Sequence, residues 1–208
     1  MVTAGPSVIY HVDQSDRLRS FNDAWSDFAR ENGAAELGGE RIEGSVLWDH
    51  LDEETTQLYR RMLHRLRDGA PDIRFSFRCD APDRRRLLAM HMSSLGGGNI
   101  AFVVTPLAEQ ERPTVDLLDS TLPRTDAFVL ICAWCKLVEL PSGAWVEVEA
   151  AIPALGLFDR DAYPRLSHGI CPECSDDLIG VLDGPNTDDG DTVTFGALVP
   201  VGDSTDFD

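Results

Sequence analysis

Apolar residues near the start of the chain alternate with polar ones, then change period. Val8 to Val12 is a short apolar run closed by the turn cluster Asp13-Gln14-Ser15-Asp16, and Leu18 to Phe21 resumes the alternation, which predicts a β-hairpin. The spacing then lengthens to that of a helix: Phe21, Ala24, Trp25, Phe28 and Ala29 share one face, with Asn22 as N-cap and Asn32-Gly33 as the stop. Gly38 to Leu51 reads as a loop with short helical turns, in which Trp48 and Leu51 can plug a core. Asp52 opens a second helix, with Glu53 and Glu54 at the positive end of its dipole and Asp68-Gly69 at its close. Its apolar stripe is Leu58, Tyr59, Met62, Leu63 and Leu66, while Arg60, Arg61, Arg65 and Arg67 face water. Three strands follow: Ile73, Phe75, Phe77 and Cys79 alternate with polar partners, Leu87 to Leu95 pairs back across Ala81-Pro82-Asp83, and Ile100 to Thr105 follows Gly96-Gly97-Gly98-Asn99.

Beyond residue 106 the pattern loosens. The stretch 107–126 has linker composition around Pro113 and Pro123, with Val115, Leu117, Leu118 and Leu122 spaced for one short amphipathic helix. Phe128 to Ile131 reads as a strand. Lys136 to Leu140 and Trp145 to Val148 form a hairpin about Pro141-Ser142-Gly143, and Glu149 to Leu155 is a short helix. A helical start is expected at Asp176-Asp177-Leu178. From Asp183 onward Pro, Gly, Asp and Thr dominate, and no basic residue occurs; a solvated tail is expected, with Thr192 to Val201 able to add an edge strand.

Charge sharpens the division. The net charge of -18 is uneven. Residues 1–106 carry 13 basic and 16 acidic residues (-3), whereas 107–208 carry 5 and 20 (-15). Phosphate backbones would be repelled, so direct nucleic-acid binding is not expected. No apolar run approaches the roughly 20 residues of a membrane-spanning helix. The first residues lack the basic start and apolar stretch of a signal peptide, so a cytoplasmic location is expected.

The strongest chemical pattern is a pair of knuckles, Cys132-Ala-Trp-Cys135 and Cys171-Pro-Glu-Cys174. Two thiols two residues apart let one tight turn aim both sulfurs at a point, and two such turns supply the tetrahedral set of a structural zinc. Iron is a minor alternative for the same set. His168, three residues before Cys171, is close enough to act as an alternative ligand or as a donor behind the thiolates. Four thiolates leave no open position for substrate or water, so metal-dependent catalysis is not expected. The odd thiol, Cys79, reads as inert, and Arg84-Arg85-Arg86 as a solvated edge guard able to receive an acidic partner.

The order strand, strand, helices, strand, strand, strand over residues 7–106 resembles a PAS domain. The phrases Asn22-Asp23-Ala24-Trp25, Gly44-Ser45-Val46-Leu47-Trp48-Asp49 and Phe77-Arg78-Cys79-Asp80-Ala81-Pro82 carry the resemblance. It implies an α+β fold: a PAS-type five-stranded antiparallel sheet with helices on one face, enclosing a pocket, in a protein that commonly dimerises and signals to an output module. The candidate pocket lining is Trp25, Phe28, Trp48, Met62, Leu66, Phe75, Phe77, Met90 and Phe102, with an ordinary filled core as the alternative. The early cysteine of flavin photosensors in this family has no counterpart here. His64 lies on the helix that carries the haem ligand in other members, but it sits among arginines and reads as a surface residue.

Ile131-Cys132-Ala133-Trp134-Cys135-Lys136, Trp145, Glu149 and Ser167-His168-Gly169-Ile170-Cys171-Pro172-Glu173-Cys174 resemble a cysteine-knuckle module of bacterial signalling proteins. The expected organisation is a sensory domain at 7–106, a linker at 107–126, a small zinc-knuckle module at 127–180 and an acidic tail at 181–208. No nucleophile elbow, P-loop, dinucleotide fingerprint or kinase motif occurs, so catalysis is not expected. The leading expectation is a homodimeric sensor that signals to a protein partner. A thiol redox switch and a rubredoxin-like iron electron carrier are the alternatives.

Overall fold

The computed structural model describes residues 5–158, 160–183, 193–196 and 198. Strands β1 (Val8–Val12) and β2 (Leu18–Phe21) form the first hairpin. Helix α1 (Asp23–Glu31) starts where the Asn22 side chain accepts from Trp25 N–H, and a four-residue helix α2 (Gly39–Ile42) follows. Helix α3 (Glu53–Arg67) is capped by Asp52, which accepts from Thr55 N–H. Strands β3 (Asp72–Arg78), β4 (Arg84–Gly96) and β5 (Asn99–Glu111) complete an antiparallel sheet in the order β3-β4-β5-β1-β2. The fold is α+β, with α1 and α3 on one face of that sheet, as the PAS resemblance implies. Met62, Leu63 and Leu66 of α3 meet Phe75, Met90, Met92, Ile100 and Phe102 in one core.

The β4–β5 hairpin is longer than the apolar pattern predicts. A bulge between Leu87 and Leu88 absorbs Leu107, and beyond it Arg84 faces Glu111 and Arg86 faces Glu109. Opposite charges across the ladder continue a hairpin that hydrophobicity alone would end. The stretch expected to hold a short helix contains a single 3-10 turn, Asp116–Leu118, whose Leu117 is fully buried.

The second half builds another sheet in the order β8-β7-β6-β9. It comprises β6 (Arg124–Cys132), β7 (Val138–Glu139), β8 (Trp145–Val146) and β9 (Tyr163–Gly169), with α4 (Val148–Ala154) between β8 and β9. The β6–β9 pairing is parallel. Helix α5 (Pro172–Asp183) follows. Most of the tail expected from residue 181 onward lies outside the described residues. Within it, β10 (Val193–Thr194) pairs in parallel with β3, making a sixth strand. Among the described residues, no helix is long and apolar enough to cross a membrane.

Candidate metal centre

Parallel pairing brings the two knuckles together. In the β6–β9 register Cys132 lies opposite Gly169, so both strands deliver their chain to the same end of the sheet. After Cys132 the chain doubles back: Lys136 N–H donates to Cys132 O at 3.1 Å, and Cys132 N–H donates to Leu137 O at 2.7 Å. Lys136 takes a left-handed φ of 63° to close this turn. Ala133 N–H donates to Gly169 O at 2.8 Å and ties one knuckle to the other. The second knuckle opens α5, where Ser175 N–H donates to Cys171 O at 2.9 Å.

The four sulfurs all lie within 4.8 Å of one another, and each cysteine is buried. Cys135 and Cys171 Sγ are 3.6 Å apart. A tetrahedral ion with metal–sulfur bonds of about 2.3 Å needs edges of about 3.8 Å, so the set fits a thiolate-bound metal. The backbone N–H groups of Cys171 and Cys174 point at Cys132 Sγ and Cys171 Sγ, each at 3.5 Å, as thiolate acceptors require. By themselves the sulfurs cannot all ionise in so small a volume. Hydrogen bonds from Cys135 and Cys174 favour the thiolate at Cys132. Its interaction with Cys135 pushes that thiol up to about 12, and Cys174 is pushed up as well by Cys132 and Cys135. A dication reverses this order and deprotonates the set.

His168 sits on β9 opposite Ile131 and is not one of the four clustered ligands. Partial desolvation beside an exposed edge, together with the Lys136 charge, lowers its pKa, against the opposing pull of Asp52 and Cys132. Lys136 Nζ donates to Ala133 O at 2.9 Å, which holds the chain's only lysine beside the sulfurs.

Between Cys132 and Cys135, Trp134 projects into the core against the first sheet. Its ring centroid is 4.8 Å from Phe75, 5.2 Å from Phe195 and 6.1 Å from Tyr59. Tyr59 stacks on Phe102 and Phe102 on Tyr10, so a row of rings runs from the knuckle through the core. Of the candidate pocket residues, Met62, Leu66, Phe75, Met90 and Phe102 are buried there. Trp25, Trp48 and Phe77 pack half-buried against the same core. Phe28 lies beneath the Arg86 guanidinium, 5.1 Å from it. His64 is exposed and pairs with Asp68 at 2.7 Å; with Arg60 and Arg61 it lines an open groove of 370 Å³. Cys79 is half-buried, and its N–H donates to Arg86 O at 2.9 Å.

A second joint is ionic. Arg78, Arg85 and Arg112 are buried among Asp80, Glu147 and Glu149. Arg78 Nη1 donates to both Glu147 oxygens at 2.8 and 2.9 Å, while its Nη2 pairs with Asp80 at 2.5 Å. Arg85 reaches Glu149 at 2.8 Å, and Arg112 bridges Glu149 and Asp80 at 3.2 and 3.3 Å. The basic run is therefore no uniform solvated edge: Arg85 belongs to this cluster, whereas Arg84 pairs with Asp83 and Glu109 at the surface. Hydrophobic periodicity carries no signal for such a cluster; the Arg78-Cys79-Asp80 and Glu147-Val148-Glu149 alternations are its only trace in the sequence.

No protein-family model and no curated protein matches the chain. Solved structures similar to it include the photoactive yellow protein domain of the sensor histidine kinase Ppr from Rhodospirillum centenum. That likeness has 20% identity and a TM-score of 0.37, covering 48% of this chain and 90% of that one. Another is a domain of an HTR-like protein from Haloarcula marismortui, at 16% identity and a TM-score of 0.32, covering 51% of this chain and 98% of that one.

Proposed function

We propose that the chain is a non-catalytic cytoplasmic signalling protein, in which a PAS-like sensory unit is joined to a zinc-bound knuckle module and read, as a homodimer, by a protein partner. The observation that carries this reading is the buried four-sulfur cluster set at the ends of two parallel strands, with all ligand atoms within 4.8 Å. Four thiolates make a closed coordination sphere, suited to holding a fold rather than to activating water. Zinc fits a redox-inert structural role, and buried sulfurs are shielded from oxidants, which counts against the redox-switch alternative.

The test is metal analysis and a visible spectrum on protein purified without a metal-affinity tag. One zinc per chain and a colourless solution are expected. Iron, with visible absorption, would replace this reading with that of an electron carrier. Light scattering would check the dimer, and a monomer at all concentrations would remove that part of the proposal.

A further inference from the structure

The core of the PAS-like unit is completed by residues that the knuckles, α5 and the chain after β10 supply. Trp134, Cys132, Cys135, Cys171, Cys174, Leu178 and Phe195 belong to the same buried cluster as Met62, Phe75 and Phe102. Trp134 enters at the edge of β3, where Arg78 N–H donates to Trp134 O at 2.7 Å in line with the β10 pairing. Its ring reaches Phe75 on the sheet and Tyr59 on α3, placing an indole where the PAS resemblance puts a bound small molecule.

We propose that Trp134 is a built-in ligand of the PAS-like core, so that the signal the sheet reads is metal occupancy at Cys132, Cys135, Cys171 and Cys174. This deepens the function proposed above and rests on its metal site. Trp134 lies between two ligating cysteines, so the direction of its side chain is set by the turn those ligands close. The seat is not self-sufficient: the buried indole Nε1 has no hydrogen-bond partner among the described residues, and such an orphan works against the seated state. The second knuckle acts in parallel. Helix α5 starts at Pro172, between the other two ligands, and carries Leu178 and Leu182 into the same core, while Arg65 of α3 donates to Leu182 O. Metal binding releases the thiol protons to solvent and fixes both knuckles. Metal loss leaves four sulfurs with no ion to tie them together and frees the turn that aims the indole.

The experiment removes zinc from the 208-residue chain with a chelator, quantifies its release, and follows amide exchange in β3 and α3. A Trp25→Phe/Trp48→Phe/Trp145→Phe variant leaves Trp134 as the sole indole for fluorescence. Expected on release are a red-shifted, more readily quenched Trp134 emission and at least about tenfold faster exchange around Phe75 and Tyr59. In Trp134→Ala zinc should still bind, but exchange in β3 and α3 should already be fast with zinc present and change little on its removal. Stoichiometric zinc release that leaves emission and exchange unaltered would overturn the inference while leaving the metal reading intact. A chain that binds no zinc while its four thiols are reduced would overturn both. If the triple variant does not fold, exchange on the wild-type chain decides alone.

Discussion

At the scale of single residues, Arg78 does most to join the two halves of the molecule. Its backbone N–H bonds the knuckle, its guanidinium bonds Glu147 and Asp80, and only 1% of its side chain is exposed. Removing one member of a buried ion cluster strands its partners, and losses of about 3–5 kcal/mol are typical. Arg78→Met should therefore lower stability by about that amount in urea denaturation, far more than Arg84→Met at the exposed Asp83 and Glu109 pairs. Glu149 adds a pH signature. Burial alone would raise its carboxyl, but Arg85 and Arg112 outweigh that and hold it below the ordinary range. A carboxyl depressed in the folded state contributes stability above its unfolded pKa, about 4.3, and loses it as pH falls through the folded value. Glu149→Gln should thus be less stable than wild type at neutral pH, and the gap should close on acidification. Denaturation midpoints taken from pH 7 to pH 3 would show this; a gap constant across that range would remove the assigned role. Beyond the Arg78-Cys79-Asp80 and Glu147-Val148-Glu149 alternations, none of this was legible in the sequence, because Arg84-Arg85-Arg86 looks the same whether a guanidinium meets water or a carboxylate about sixty residues away.

At the scale of elements, most of the first hundred residues could be read directly. Asn22 and Asp52 cap the helices the periodicity predicts, and β1 and β2 occupy the predicted hairpin. Local rules suffice there because each signal is a contact within a few residues. They fall short where partners are distant: the β4–β5 extension depends on charges from opposite strands, and the parallel β6–β9 pairing joins segments across the β7–β8 hairpin and α4. That pairing is what makes a site of two CxxC motifs, so the ligands were legible in the sequence while the means of assembling them was not. β10 shows the same dependence on distant packing. After its two paired residues the chain turns at Gly196 with φ of 69°, where an added Cβ would lie 2.8 Å from Cys135 Cα. That atom is backbone and cannot swing aside, and a side chain at this φ is itself strained. Gly196→Ala should push β10 from the first knuckle, speeding zinc transfer to a chelator and lowering the thermal midpoint. Unchanged transfer kinetics would mean that Gly196 does not press on the metal turn.

At the scale of the whole molecule, two buried clusters do not correspond to two independent halves. One contains Val115, Leu117, Ile131, Val138, Val148, Ala151 and Tyr163 and belongs to the second sheet. The other runs from Tyr10 and Val12 through Phe75 and Phe102 to the four cysteines and Leu182. The four clustered cysteines thus sit in the larger core, and the segment carrying the smaller core is tied to the first sheet through Glu147 and Glu149. Cooperative unfolding follows when the surface between units is apolar and buried, because neither side can open without exposing the other. The zinc-loaded chain should therefore unfold in one transition. The far-ultraviolet signal, Trp fluorescence and zinc release, read by a colorimetric chelator, should share one midpoint. Cys174→Ser, which removes one ligand, should lower that midpoint for all three probes together, including the signal from the antiparallel sheet, none of whose strands carries a metal ligand. Two separated transitions, with zinc released in the first and the sheet lost only in the second, would show that the knuckles fold beside the antiparallel sheet rather than as part of its core.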